Sequence, residues 1–207
     1  RFLDLKKAEA QAREAQIEAA LEKVRSRSLA VHQSNEFKEV IKVVFERLQE
    51  LEIPMTSASI NVFIGGSKDT EVYICGPGED GLVLSQFRLI HFDHPIANDR
   101  YEAYEKGMNF FTKTYGWEEK NSYYEYEFEV SDLKQIPADI KKMIMESRCY
   151  TISMALTKNS MIVVNDFEGK LLSPKEIDIV KRFANVFEQA YTRFLDLQKA
   201  EAQAREA

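Results

Sequence analysis

The segment SMIVVNDFEGKLLSPKEIDIVKRFANVFEQA, residues 160–190, contains the clearest change of secondary structure in the chain. Its first third is rich in β-branched residues, which favour a strand. Ser173, Pro174 and Glu176 then provide an N-cap, a first-turn proline and a capping-box partner. Apolar residues follow at spacings of three and four. The segment therefore predicts a strand that gives way to a long helix beginning at about residue 174.

This helix is expected to continue into RFLDLQKAEAQAREA, residues 193–207, which repeats the first fifteen residues of the chain. The two copies differ only where Lys6 is replaced by Gln198. Such identity predicts a tandem repeat of whole domains joined by helices. We expect the chain to be one unit of a longer protein, with adjacent repeats and an output domain among its partners.

Residues 1–31 lack Gly and Pro and consist mainly of strong helix formers, so they are predicted to form a linker helix. Apolar residues recur every seven positions along it, which favours a parallel coiled coil in a homodimer over a solitary solvated helix. The predicted seam is Leu3, Ala10, Ile17, Val24 and Val31.

The final helix presents a second candidate seam at Phe187, Tyr191 and Leu195. One alternative is that these residues extend the dimer contact through a four-residue step, which locally unwinds a left-handed coiled coil. The other is that the helix up to residue 194 packs on its own domain. The sequence leaves both open.

The middle of the chain alternates between β-rich and helical patterns. Ser34 is predicted to cap a second helix that ends before Pro54. Three antiparallel strands are predicted at residues 57–66, 70–76 and 82–92. A helix that Gly107 ends and an aromatic-rich irregular stretch up to residue 128 are predicted to follow. The next predicted element is a short helix over residues 137–147 with Ile140, Met143 and Ile144 facing inward. A β-hairpin around Lys158 and Asn159 is then predicted to close the sheet.

This order of elements resembles a GAF domain, and residues 160–190 give the best match to that family's pattern. The linker sequence RFLDLQKAEAQAREA is similar to the helices between tandem GAF-like units of bacterial signalling proteins, often sensor histidine kinases. The resemblance implies an α/β fold of the α+β type, a GAF-like central antiparallel sheet with helices packed on it and coiled-coil linkers on both sides. The expected domains are a linker over 1–31, a GAF-like domain over 32–192 and the next linker over 193–207.

The resemblance does not extend to the family's known ligand motifs. NDFEG, residues 165–169, lacks the pattern of the cyclic-nucleotide branch, and neither Cys75 nor Cys149 is followed by the His of bilin-binding members. The topology also leaves a PAS domain open as an alternative. We therefore expect no named cofactor, although an unidentified small-molecule ligand is compatible with the pattern.

Composition limits the partners further. The net charge is −6 and 30% of residues are charged, so the chain offers no basic face for nucleic acid or an anionic membrane. No apolar run approaches the length of about 18 residues that a membrane span needs, and the first residues lack signal-peptide order. The two cysteines are too few to staple a domain of this size, so a reduced, cytoplasmic setting is the expectation, with a periplasmic one as the alternative.

Two groups of residues are candidate sites. In HFDH, His91 and Asp93 would face one side of a strand and could bind a metal ion, but a strand end leading into a helix cap explains the cluster more simply, and we predict no metal site. In the aromatic stretch, side chains could line a ligand pocket between the sheet and this segment, or merely fill the core. The predicted pocket residues are His91, Tyr101, Tyr104, Trp117 and Tyr124.

No sequence motif for a nucleophile, a phosphate-binding loop or a metalloprotease is present, so we do not expect an enzyme. The expected function is a sensory or regulatory input module in signal transduction, such as a two-component system. It would bind a small molecule or partner and relay a change through dimeric helices to an output domain. The alternatives are a ligand-free dimerisation spacer and, less favoured, an enzyme built on His91 and Asp93.

Overall fold

A computed structural model describes residues 2–78 and 81–206. In this part of the chain, six helices and six strands form a mixed α+β structure. The helices are α1 Phe2–Leu29, α2 Phe37–Glu50, α3 Pro95–Glu105, α4 Trp117–Val130, α5 Ala138–Glu146 and α6 Pro174–Glu206, with short 3₁₀ turns at Ser34–Glu36 and Asp132–Gln135. The strands are β1 Ser57–Phe63, β2 Thr70–Gly78, β3 Gly81–Leu89, β4 Phe110–Tyr115, β5 Tyr150–Leu156 and β6 Met161–Asp166.

The strands form one antiparallel sheet in the order β3-β2-β1-β6-β5-β4. The three predicted strands β1 to β3 and the β5–β6 hairpin are confirmed. Within the sheet, this hairpin lies between β1 and β4, since β6 pairs with β1 and β5 pairs with β4. The edge position belongs to β4, which lies in the stretch that was expected to be irregular.

The ends of two helices follow the sequence signals. Ser173 and Glu176 form the predicted capping box of α6: the Ser173 N–H donates to the Glu176 carboxylate at 2.6 Å, and the Glu176 N–H donates to the Ser173 hydroxyl at 3.4 Å. Gly107 follows α3 with a φ of 62°, a left-handed conformation that costs glycine little. The helix α6 then continues without a break to Glu206, as predicted.

Two local predictions were wrong. Ser34 lies in a 3₁₀ turn and does not cap α2; its N–H and hydroxyl donate to the Glu201 carboxylate at 2.9 and 2.7 Å. On α5, Ile144 is buried as expected, but Ile140 and Met143 are 41% and 37% exposed. Of the three, Ile144 alone is in the buried core, while Ile140 and Met143 remain partly open to solvent.

The chain divides into two compact units. We call residues up to Ile53 together with those from Asn185 onward the helical unit, and Pro54–Ala184 the sheet unit. The helix α6 contributes its first turns to the sheet unit and the rest to the helical unit. This division groups α2 with the long helices, whereas the sequence had placed it in the domain over 32–192.

In the helical unit, α1 packs against α2, and the Arg13 guanidinium donates to the Leu51 carbonyl at 2.5 Å. Phe37 is 6% exposed, and its ring stacks on Phe194 with 4.4 Å between centroids. Phe187 and Tyr191 lie against the same ring at 5.6 and 5.8 Å. An aromatic cluster therefore joins α2 to the second half of α6.

Candidate functional site

The sheet unit contains a cavity of about 550 Å³. It lies between one face of β1, β2, β3 and β6 and the segment that includes α4, the following 3₁₀ turn and α5. This volume falls within the range typical of small-molecule pockets. The cavity is the main candidate site in the part of the chain that the structure describes.

Alternation along β1 places polar side chains on the cavity face. Ser57, Ser59 and Asn61 line the cavity, while the intervening Ala58 and Ile60 point to the opposite face. Asn165 of β6 lies opposite Ser57 in the register and donates to its hydroxyl at 3.4 Å. Asn165 in turn accepts from the Tyr150 hydroxyl at 2.7 Å, so the polar groups form a connected network at the floor of the cavity.

Arg100 of α3 is the cation of this site. It is 6% exposed and lines the cavity together with Tyr123. Its Nη1 donates to the Tyr123 hydroxyl at 3.1 Å, and with the Asn61 amide oriented to present Oδ1, Nη2 donates to that oxygen at 2.9 Å. Asn61 then donates to Ser59 at 2.8 Å. The buried Nε of Arg100 has no hydrogen-bond partner.

Arg100 stays charged in this environment. Burial by itself would lower the pKa of the guanidinium, but the neighbouring Tyr123, Tyr150 and Glu127 raise the pKa above its usual value. Burial also raises the pKa of Tyr150 to about 12 and that of Tyr123 further, so both hydroxyls are neutral at physiological pH. The floor of the cavity thus combines one buried cation with neutral donors and acceptors.

Glu127 of α4 lies close enough to Arg100 to feel its charge but does not line the cavity. Its side chain is fully buried, its Oε1 has no hydrogen-bond partner, and its Oε2 accepts from the Ile90 N–H at 3.4 Å. Burial raises the pKa of Glu127, although hydrogen bonds and Arg100 partly offset that shift. This carboxyl therefore takes up a proton more readily than an exposed glutamate does.

The remaining walls of the cavity are mainly apolar. One wall comes from the two strands at the sheet edge and the other from the 3₁₀ turn, α5 and the loop after β6. The apolar lining residues are Val72, Ile74, Phe87, Leu89, Leu133, Ile136, Pro137, Ile140, Met143, Ile144, Val163 and Phe167. Asp139, an exposed residue of α5, supplies the one carboxylate among the described lining residues.

Of the five predicted pocket residues, the structure places only Tyr124 in the lining. Tyr101 and Tyr104 pack on Phe63, with ring centroids 5.4 and 4.5 Å away. His91 lies 6.0 Å from the Tyr101 ring, and Trp117 is 56% exposed at the start of α4. The predicted location between the sheet and the aromatic segment agrees with the cavity, but most of its residues were not those predicted.

The HFDH motif has structural roles. His94 caps α3, since its Nδ1 accepts from the Ile96 N–H at 3.2 Å, and Asp93 accepts from Asn98 at 2.8 Å. The backbone N–H of His91 donates to Asp69 at 2.9 Å. No three His, Cys, Asp or Glu side chains among the described residues are grouped so that they could bind a metal ion.

The sequence analysis missed Arg100 and Asn61, although a signal for Arg100 was present. On α3 the buried residues Ile96, Ala97, Arg100 and Ala103 recur at spacings of three and four, so Arg100 belongs to the buried face of the helix. A charged residue within an apolar helical face is seldom buried without a specific partner.

Some residues of the predicted dimer seam are buried and others are exposed. Ile17, Val24 and Val31 are buried within this single chain, at 5%, 0% and 2% exposure. Phe187 is buried and Tyr191 half-buried in the aromatic cluster. Leu3 and Leu195 are 79% and 36% exposed, and Ala10 is exposed as well.

Comparison with known proteins adds no assignment: no protein-family model matches the chain, and no curated protein matches it. Within the described residues, no helix is both long and apolar enough to span a bilayer. The candidate function therefore depends on the cavity and its chemistry.

Proposed function

We propose that the chain is a sensory or regulatory input module that binds a small molecule in the cavity of the sheet unit. The observation that carries the proposal is the buried Arg100, which lines a cavity of about 550 Å³ and has an unpartnered Nε. A ligand-free spacer would gain stability from an apolar, filled interior, because a buried charge without full hydrogen bonding is costly. The polar floor and apolar walls are what a binding pocket requires.

The order of elements supports a GAF-like assignment as part of this proposal. An amphipathic helix, three antiparallel strands, a helical middle with many aromatic residues, a hairpin and a long final helix follow one another as the resemblance implies. Signalling proteins of the histidine kinase type use such modules as inputs. The same proposal includes an output domain and neighbouring repeats as the partners of this chain.

The relay would use α6, a single helix of 33 residues that begins in the sheet unit and ends in the helical unit. A ligand shifts such an equilibrium only if it binds two arrangements with different affinity. The cavity borders β6, and the loop after β6 leads directly into α6. Dimerisation through the exposed Leu3, Ala10 and Leu195 would pass the change to a partner chain.

A cavity-filling variant tests the proposal. Gly76 lines the cavity, and a Cβ added there would meet no atom within 4 Å, so Gly76→Leu introduces an apolar side chain at a position where its first carbon has open space. We expect a screen of neutral, cationic and anionic metabolites to yield compounds that raise the Tm of the unchanged protein by mass action. Gly76→Leu should abolish these shifts while retaining the circular dichroism spectrum.

Gly65→Leu is the matched control, because Gly65 is also free of contacts within 4 Å but lies outside the cavity. It should retain every ligand-induced shift. Hydrogen exchange along residues 185–206 should also change when ligand is added. If no compound binds, or if Gly76→Leu binds as well as the unchanged protein, a spacer becomes the better description.

A further inference from the structure

The cavity has an asymmetric charge distribution. Among its described lining residues, Arg100 is the only lysine or arginine, and it lies at the polar floor with Asn61 and Tyr123. Asp139 is an exposed residue of α5. The negative charge of Asp139 thus lies at the exposed side of the cavity, and a ligand that enters would meet a single buried positive charge, that of Arg100, at the floor.

Arg100 retains donor capacity for such a ligand. A guanidinium has five N–H donors, and the structure shows acceptors for one N–H of Nη1 and one of Nη2, while the buried Nε has none. Asn61 and Tyr123 are neutral partners; Glu127 acts on Arg100 electrostatically but is not hydrogen-bonded to it in the described part of the chain, and burial raises the pKa of that carboxyl. A buried guanidinium in this state binds a planar carboxylate especially well, because the two groups match in geometry and charge.

The shape and polarity of the cavity restrict the rest of the ligand. The walls are aliphatic and aromatic, so a ligand body that is apolar would bury its surface favourably. A single cation offsets one negative charge, whereas a phosphate monoester carries nearly two at neutral pH and would leave charge uncompensated in an apolar site. The volume of about 550 Å³ accommodates a small organic molecule.

We propose that the ligand is a small organic monocarboxylate with an apolar body, whose carboxylate binds Arg100 at the floor of the cavity and whose body packs against the walls formed by β2, β3 and α5. This inference rests on the proposed function and specifies the chemical class of its ligand. Tyr123 and Asn61 would position the guanidinium by holding Nη1 and Nη2.

Calorimetric titration of the full chain with acid and amide pairs tests the inference. The probes are phenylacetate against phenylacetamide and octanoate against octanamide, since each pair differs mainly in charge. We expect at least one acid to bind about 30-fold more tightly than its amide, because a charge-assisted bond to a buried guanidinium is lost in the amide.

Arg100→Met should remove the preference for the acid, and Arg100→Lys should retain part of it because the charge remains but the fork geometry is lost. Arg148→Met is the control, since Arg148 is exposed and lies outside the cavity. Circular dichroism establishes that each variant is folded; if Arg100→Met does not fold, the acid and amide comparison on the unchanged protein and on Arg100→Lys decides.

Two outcomes overturn the inference. The first is that neither acid binds; the second is that acids and amides bind alike. Failure of the proposed function looks different, because then no compound of any charge binds in a manner that Gly76→Leu blocks. A neutral or cationic ligand that Gly76→Leu blocks would retain the sensory function and reject the carboxylate.

Discussion

Phe194 and Phe2 occupy the same position in the two copies of the fifteen-residue segment but lie in different surroundings. The Phe194 ring stacks on Phe37 with 4.4 Å between centroids and 16° between planes, and it lies 5.7 Å from the Tyr191 ring. Phe2 is 68% exposed. The repeat therefore provides a natural pair of sites at which one substitution, Phe to Ala, can be compared.

We expect Phe194→Ala to lower the free energy of unfolding by about 2–3 kcal/mol. Truncation of a fully buried phenylalanine costs about 3–5 kcal/mol, and the half-buried ring of Phe194 loses less, while its aromatic stacking adds about 1 kcal/mol. For a chain of this size that loss corresponds to a fall in Tm of roughly 5–10 °C. Phe2→Ala should stay within about 0.5 kcal/mol of the unchanged protein.

The measurement is urea and thermal unfolding of the three proteins, followed by circular dichroism at several protein concentrations. Alanine gains helix propensity at residue 194, in the interior of α6, and less at residue 2, where α1 begins, so the difference between the variants is a lower bound on the packing contribution of the Phe194 ring. An equal loss in the two variants would refute the reasoning. A loss at Phe2 that grows with protein concentration would show instead that the first turns of α1 are covered by a second chain.

Three further substitutions test the buried Glu127 and Lys120 and the half-buried Asp69, each by urea unfolding. Burial raises the pKa of Glu127, so this residue favours folding at low pH, and its contribution is lost as pH rises above about 4.5. Glu127→Gln should remove a dependence of the unfolding free energy on pH of up to about 1.4 kcal/mol per pH unit, and the variant should be more stable than the unchanged protein at pH 7. Lower stability of the variant at pH 7 would contradict this. Burial opposes the charge of Asp69, but hydrogen bonds from the His91 N–H and Arg88 lower the pKa of its carboxyl. Asp69→Asn should therefore lower the free energy of unfolding by about 1 kcal/mol at pH 7, and this difference should vanish as pH falls through the lowered pKa. A loss that does not depend on pH would contradict this role of the Asp69 charge. Lys120 is fully buried and donates to the carbonyls of residues 144 and 145 at the end of α5. Lys120→Met should therefore lower the free energy of unfolding by about 2–3 kcal/mol. An unchanged urea midpoint would mean that water replaces the ammonium group at these carbonyls.

Elements with strong local signals were predictable from the sequence. The capping residues of α6, the glycine after α3 and the turn between β5 and β6 each act through neighbours within a few residues. The edge strand β4 was not predictable in the same way. Its middle residues Thr112, Lys113 and Thr114 are exposed, so it lacks a clear apolar alternation, and it is held by pairing with β5, including hydroxyl contacts from Thr112 to Ser153 and from Thr114 to Thr151.

The candidate site was predictable in location but only partly in its residues. Aromatic content pointed to the segment that covers the sheet, and Tyr124 does line the cavity. Tyr101 and Tyr104 instead pack on Phe63, because aromatic area alone does not distinguish a core residue from a pocket residue. A charged residue on a buried helical face was the better signal for the cavity: Arg100 lies on the buried face of α3 and lines it.

The heptad pattern of α1 shows why periodicity alone cannot identify a partner. A stripe of apolar residues specifies which face of a helix is covered, but not whether the cover comes from the same chain or another. Ile17 and Val24 are buried within this chain, so a charge at Ile17 would disrupt the helical unit itself, and loss of a dimer in that variant would not locate the interface. Leu3 is 79% exposed, so a charge there leaves the intrachain packing intact and affects only an interchain seam. Leu3 is therefore an informative position for the coiled-coil proposal, because folding and dimerisation are separable there.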